Sequence, residues 1–286
     1  MSHRLHWIVY SLLLASSFAL GTIQQNWSAL RSPRQSDVTV PTIFIHGLPS
    51  NYHAEVKMVH ALIDAGVTTR VNVIRANVTP TGHVYFTGHL PIHPHHPLVE
   101  VELQNSHEKD DHVTAACLKN VVVALQVQYH FKTINLVGHS SGPLIILYYL
   151  MDNLNDHTLP QTAKVVSLGG AFNGSLGPHN QSKMHLRSDG FPLPRQTAEY
   201  RGLLPLHDHF PRYIRVLNIY GDLQDGSHSD GRVANISSRA MRYLVQKRAR
   251  SYQEVRVTGF HANHSGLHNN KKVDFYLVRF LYGENC

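Results

Sequence analysis

The chain has 286 residues, a length that one large α/β domain fills. A hydrophobic fraction of 42% supports a packed core and excludes general disorder. The formal charge of +7 comes from scattered Lys and Arg apart from Lys247-Arg248-Ala249-Arg250, and no basic stripe interleaved with aromatics is visible, which argues against nucleic acid as a partner.

In chain order, Arg4 precedes an apolar stretch over residues 7–20, followed by Gly21. This resembles a secretory signal peptide over 1–21, cleaved before Thr22, or an N-terminal anchor if retained; the uninterrupted span is shorter than the roughly 20 residues of a membrane helix. Residues 22–38 read as a linker and 39–286 as one domain. Strand-like runs at 39–46, 70–78, 98–103, 134–138, 164–168, 215–220 and 254–259 alternate with helical patterns at 54–65, 113–131, 237–246 and 273–282. That alternation predicts right-handed crossovers and a mostly parallel central sheet flanked by helices.

Two stretches interrupt the rhythm. Residues 173–212 are polar, rich in Gly, Pro and His, and form a candidate lid. Residues 83–97 hold His83, His89, His93, His95 and His96. Imidazoles so close together raise zinc or copper, but the proline-interrupted spacing fits no regular metal site, and 23 histidines make chance clustering ordinary. No metal is assigned. Cys117 reads as a small buried residue and Cys286 as the last residue, with no pairing legible. Sequons at Asn77, Asn173 and Asn235 matter only in a glycosylating host.

The most informative junction is Gly138-His139-Ser140-Ser141-Gly142, directly after the apolar run 134–137 and before the apolar run 144–150. Gly-x-Ser-x-Gly between a strand and a helix describes a sharp turn that lifts a serine hydroxyl clear of a sheet, with helix N-terminal amides aimed at it. A serine hydroxyl needs a base to take its proton, and the base needs a carboxylate to hold its tautomer. The loop after 215–220 offers Asp222, Asp225 and Asp230; Asp230 is favoured because it lies deeper in a loop able to reach across the sheet edge. After the last strand come His261, His264 and His268; His264 is favoured, being in the loop before the terminal helix. The first strand ends in His46-Gly47-Leu48, so the amides of Leu48 and Ser141 are the expected oxyanion donors, with His46 holding the turn.

With these residues in view, the chain resembles the bacterial α/β-hydrolase family of proposed cell-surface hydrolases whose domain has no assigned function. The resemblance spans about residues 39–282. It rests on Pro41-Thr42-Ile43-Phe44-Ile45-His46-Gly47, Leu136-Val137-Gly138-His139-Ser140, Val216-Leu217-Asn218-Ile219-Tyr220-Gly221, Ser229-Asp230-Gly231 and His264-Ser265-Gly266-Leu267-His268-Asn269. It implies an α/β-hydrolase fold, a Ser140–Asp230–His264 triad and an exported or membrane-associated protein. Two departures stand out: Leu48-Pro49-Ser50 where relatives usually carry glycines after the His-Gly pair, and Ser141 and Pro143 where they tend to carry Met and Gly.

The expected function is an exported serine hydrolase acting on small-molecule or lipid carboxylic esters, requiring no metal or organic cofactor, with association to the membrane or cell envelope. The alternative is a catalytically weak or inactive envelope-binding protein on the same fold; a third reading, a metal-handling protein, rests on the histidines of 83–97. Esterase, lipase and amidase share the machinery, so pocket shape decides among them.

Overall fold

A computed structural model describes residues 39–175 and 184–283. The leader, the linker, Cys286 and residues 176–183 of the expected lid lie outside the described residues.

The chain runs through β1 (Thr42–Ile45), α1 (His53–Asp64), β2 (Val73–Val78), β3 (Val84–Thr87) and β4 (Leu98–Leu103). It continues through α2 (Asp111–Tyr129), β5 (Thr133–His139), α3 (Gly142–Asp152) and β6 (Gln161–Leu168). A hairpin of β7 (His185–Leu186) and β8 (Pro192–Leu193) and two short helices, α4 (Ala198–Gly202) and α5 (Leu206–His209), precede β9 (Arg215–Asp222). The last elements are α6 (Asn235–Arg239), α7 (Met241–Val245), β10 (Ser251–Thr258) and α8 (Lys271–Tyr282).

Eight strands form one sheet in the order β10-β9-β6-β5-β1-β4-β2-β3, parallel throughout except for β3, which runs antiparallel to β2. Parallel strands covered on both faces read as continuous apolar runs, and β1 is buried at every position. Ile43 and Ile45 pack with Leu118, Leu125 and Ile146 of α2 and α3, while Phe44 faces Met58, Leu62 and Leu277 of α1 and α8. Full burial of such a side chain contributes about 1.5–3 kcal/mol. The helix starts are also written in the chain. The Asp110 carboxylate accepts from the amides of His112 and Val113 to open α2, and the Asn270 side chain accepts from Lys272 to open α8. Because the strands run one way, their carboxyl ends share one edge of the sheet and their amino ends the other.

Four expectations change. The helix expected over 237–246 is two, α6 and α7. Asn218 Nδ2 donates to the Ser238 carbonyl at 2.9 Å and the Tyr200 hydroxyl to the Ala240 carbonyl at 3.0 Å, so side chains take carbonyls that a continuous helix would use. Residues 70–72 form a 3-10 turn ahead of β2. β3 escapes periodicity because it is four residues long amid His and Gly. The stretch 173–212 is not wholly a lid: Tyr200, Leu203, Leu206 and Phe210 are fully buried in the core shared with α3 and α7. The hairpin β7–β8 also packs down, with Phe191 against the rings of Tyr200 and Tyr243. Among the described residues, no group of three or more His, Cys, Asp or Glu is placed to hold a metal ion, and no helix is long and apolar enough to cross a membrane.

One buried group opposes folding. Glu55 in the first turn of α1 is fully buried, and neither carboxyl oxygen has a hydrogen-bond partner among the described residues. Burial first, then the nearby Glu100 and Glu102 carboxylates, pushes its pKa well above the usual carboxylate range. The folded chain therefore holds a proton that the unfolded chain releases, so this group's stability is present at acid pH and declines as pH rises past the ordinary glutamate value. Glu55→Gln should raise the melting temperature, with a gain that grows with pH by up to about 1.4 kcal/mol per pH unit above roughly 4.3. Thermal melts of both proteins across a pH series check this; a gain independent of pH would be the contrary result.

Candidate active site

The site begins with a backbone that only certain residues permit. Ser140 follows β5 at φ 63°, a left-handed conformation for a residue with a Cβ. Its amide donates to the Leu168 carbonyl at 3.0 Å and its carbonyl accepts from Ala171 at 3.2 Å, so the end of β6 and the loop after it hold the turn from both sides. The glycines of the pentapeptide are required by crowding: a Cβ on Gly138 would stand 2.5 Å from the Pro143 nitrogen, and one on Gly142 would overlap the Ile45 carbonyl. Gly47 passes so close that a Cβ there would lie 2.6 Å from the Ser140 Cβ. Pro143 sits in the first turn of α3, where its missing N–H costs nothing.

The three residues singled out from the sequence meet at the carboxyl edge. Ser140 Oγ lies 2.9 Å from His264 Nε2, and His264 Nδ1 lies 2.7 Å from Asp230 Oδ2. The other carboxylate oxygen, Oδ1, accepts from the amides of Arg232 at 2.9 Å and Val233 at 2.6 Å. The backbone adds a second tie, with the His264 amide donating to the Asp230 carbonyl at 2.8 Å. Asp230 and His264 are buried, while Ser140 is partly open to solvent.

The alternatives are engaged elsewhere. Asp222 ends β9, pairs with Arg256 at 2.6 Å and accepts from the Asn235 side chain at 2.6 Å, which leaves it structural. Asp225 is held by the Ser227 amide in its own loop. His268 stacks edge-on against His139 with ring centroids 5.0 Å apart, and His261 lies beyond, its carbonyl accepting from Asn270.

His46 does what its position suggested. Its Nδ1–H donates to the Gly47 carbonyl at 2.8 Å and its Nε2 accepts from the Leu103 amide at 3.1 Å, tying the ends of β1 and β4. Both bonds require a neutral ring, and burial holds its pKa below the ordinary value.

Two contributions were not legible beforehand. His139 is completely buried, and its Nε2–H donates to the His264 carbonyl at 3.0 Å. Burial first, then the neighbouring His264 and His268, lowers its pKa to about 3. Its ring also lies against that of His264 with centroids 4.8 Å apart, so it positions His264 through both backbone and ring. The signal was a polar residue inside an otherwise buried strand end. The second is the Ser141 hydroxyl, which accepts from the Leu48 amide at 2.7 Å. The Leu48 N–H, expected as an oxyanion donor, is thus taken by a side chain, because a half-buried amide recruits the nearest acceptor. The Ser141 amide has no partner among the described residues.

The side chains of the sequon residues Asn77, Asn173 and Asn235 are engaged within the fold. Asn77 and Asn235 donate their side-chain amides to Thr87 and Asp222, and Asn173 donates to Arg195. Cys117 is a half-buried free thiol whose pKa is raised by burial and by Glu108.

Known proteins place this architecture. The lin2722 gene product of Listeria innocua shares 27% identity at a TM-score of 0.76, covering 85% of this chain and 94% of that one. A proposed cell surface hydrolase from Lactobacillus plantarum WCFS1 shares 19% identity at 0.66, covering 87% and 94%. Est1E from Butyrivibrio proteoclasticus shares 15% at 0.51, covering 88% and 91%. The last two speak to the fold alone. No curated protein matches the chain. The family described as alpha/beta hydrolase of unknown function (DUF915) matches residues 30–284, and the chain, with its α/β-hydrolase sheet and its elbow serine, belongs to that family.

Proposed function

We propose that this chain is an exported serine hydrolase that cleaves carboxylic esters. The carrying observation is the continuous relay from Ser140 Oγ through His264 to Asp230, with links of 2.9 and 2.7 Å. Ser140 attacks the ester carbonyl as His264 Nε2 takes its proton. Asp230 accepts from Nδ1–H, keeps the free electron pair on Nε2 and stabilises the imidazolium that forms. His264 then returns the proton to the departing alkoxide, and water repeats the sequence on the acyl-enzyme. The oxyanion is met by the Ser141 amide and the N-terminus of α3, and by the Leu48 amide once the Ser141 hydroxyl rotates away. The apolar run at 7–20 and the basic sequence motivate export and an envelope location.

One observation favours a second reading. Closure of the Leu48 amide by Ser141 is what a binding protein with weak or lost turnover would tolerate. A fluorophosphonate probe separates the two: a covalent adduct on Ser140 supports the enzyme, and a folded protein that resists labelling supports the binder.

Ser140→Ala should abolish labelling and lower kcat on short-chain aryl esters by about 10⁴-fold or more, with the melting temperature kept; retained turnover would overturn the assignment. Asp230→Asn should cost about 10⁴ in kcat, whereas Asp222→Asn should leave kcat within a few-fold and lower stability through loss of the Arg256 pair. Kinetics and melting of the two variants side by side read this directly. Ser141→Ala removes the hydrogen bond that competes with the oxyanion and should raise kcat by up to about fivefold, the equivalent of roughly 1 kcal/mol. A fall in kcat would show instead that the hydroxyl holds the loop in place.

A further inference from the structure

The amino-terminal edge of the sheet, opposite the serine, carries features that the hydrolase reading does not use. Two clefts open there. One of about 720 Å³ lies between the end of α3 and the start of β9 and is lined by Arg212, Arg248, Tyr213 and His157. The other, of about 470 Å³, lies at the starts of β9 and β10 and is lined by Arg215, Arg250 and Arg279. The nearby acids are already matched by lysines, Asp156 with Lys119 at 3.0 Å and Asp208 with Lys247 at 2.7 Å. Among the described residues, no carboxylate pairs with Arg212, Arg248, Arg250 or Arg279. The basic run at 247–250 thus contributes to both clefts.

The same edge exposes apolar side chains. Ile92, in the loop from β3 to β4, is 92% exposed; Val71, just before β2, is 68% exposed; and Val127, in the last turn of α2, is 70% exposed. Tyr213 beside β9 is 46% exposed.

We propose that this edge docks on an anionic lipid bilayer. Guanidinium groups match lipid phosphates in geometry and charge, and each cation near such a surface is worth about 1 kcal/mol. Aliphatic side chains and a tyrosine on the same edge gain by entering the headgroup layer. A soluble polyanion would use the arginines but offers nothing to Ile92, Val71 and Val127. The strands are about 15–25 Å long, so docking holds Ser140 that far from the bilayer and facing away from it. The inference stands on this edge alone and does not depend on the hydrolase reading.

The test uses the full chain with vesicles of phosphatidylcholine alone and of phosphatidylcholine with phosphatidylglycerol. The quantity read is the ratio of partitioning onto anionic over neutral vesicles, in which any constant contribution of residues 1–38 cancels. Wild type should favour anionic vesicles and lose that preference in high salt. Arg212→Glu/Arg250→Glu/Arg279→Glu should reduce the ratio by at least tenfold with melting behaviour retained. If that variant fails to fold, the same positions as Gln should reduce it in the same direction. Ile92→Ser should weaken binding to anionic vesicles severalfold without touching a charge. A wild-type ratio near one, a ratio unchanged in both arginine variants, or binding to soluble polyphosphate while vesicles are ignored would each overturn the proposal.

Discussion

Ser140 stands in a left-handed conformation that costs roughly 1–2 kcal/mol for a residue with a side chain, and the site depends on the surroundings that enforce it. The enforcement is steric and hydrogen-bonded together. β1 and β5 are adjacent in register, Ile45 opposite Gly138, which brings the Gly47 turn and the serine turn into contact. The crossing fits only because three glycines leave out their Cβ atoms, and the Leu168 carbonyl of β6 and the Ala171 amide beyond it then fix the serine turn. A backbone left to itself would relax the turn and lower the hydroxyl toward the sheet.

The second dependence is on imidazoles that stay neutral. His46 uses both donor and acceptor capacity of an uncharged ring, His139 sits where a charge would be desolvated, and His268 is held below its ordinary pKa by burial and by His264. For a histidine lowered in the folded state, the unfolded chain binds the proton first. The stability these rings supply is therefore complete above about pH 6.5 and drains as pH falls toward the folded value, about 3 for His139. Glu55 has the opposite slope, so the two kinds of buried group oppose the fold at opposite ends of the pH range.

The parallel sheet was legible because its strands are covered on both faces and so read as unbroken apolar runs, as in 42–45 and 134–138. Ser140, Asp230 and His264 were legible because the turn chemistry of a strand-to-helix elbow and the order of acid before base leave few candidates. Asp230 was favoured over Asp222 for its place deeper in the loop; both are buried, and the loop's path brings Asp230 to His264 while Asp222, at the end of β9, meets Arg256. What sequence could not show were contacts between residues far apart along the chain whose own neighbourhoods carry no signature. Tyr200, Leu203, Leu206 and Phe210 lie in or directly after helices of four or five residues, too short for a period, and so looked like lid. The break between α6 and α7 comes from Asn218 and Tyr200, neither of which is near it in sequence.

The Ser141 hydroxyl ties these arguments to chemistry. A half-buried amide left without an acceptor costs on the order of 1–3 kcal/mol, so the chain that replaces glycines with Leu48-Pro49-Ser50 must either open this loop to water or supply an acceptor itself. Ser141 supplies one, one residue after Ser140. In the proposed mechanism, forming the oxyanion exchanges a neutral hydroxyl for a charged oxygen as the acceptor of Leu48 N–H, and charge-assisted bonds are about twice as strong. The exchange is unfavourable to a bound ester, whose carbonyl is no better an acceptor than the hydroxyl, and favourable only as negative charge develops. Under the proposed reading a bound ester leaves the amide closed, so the cost of opening it falls on the transition state and the hydroxyl acts as a brake on turnover.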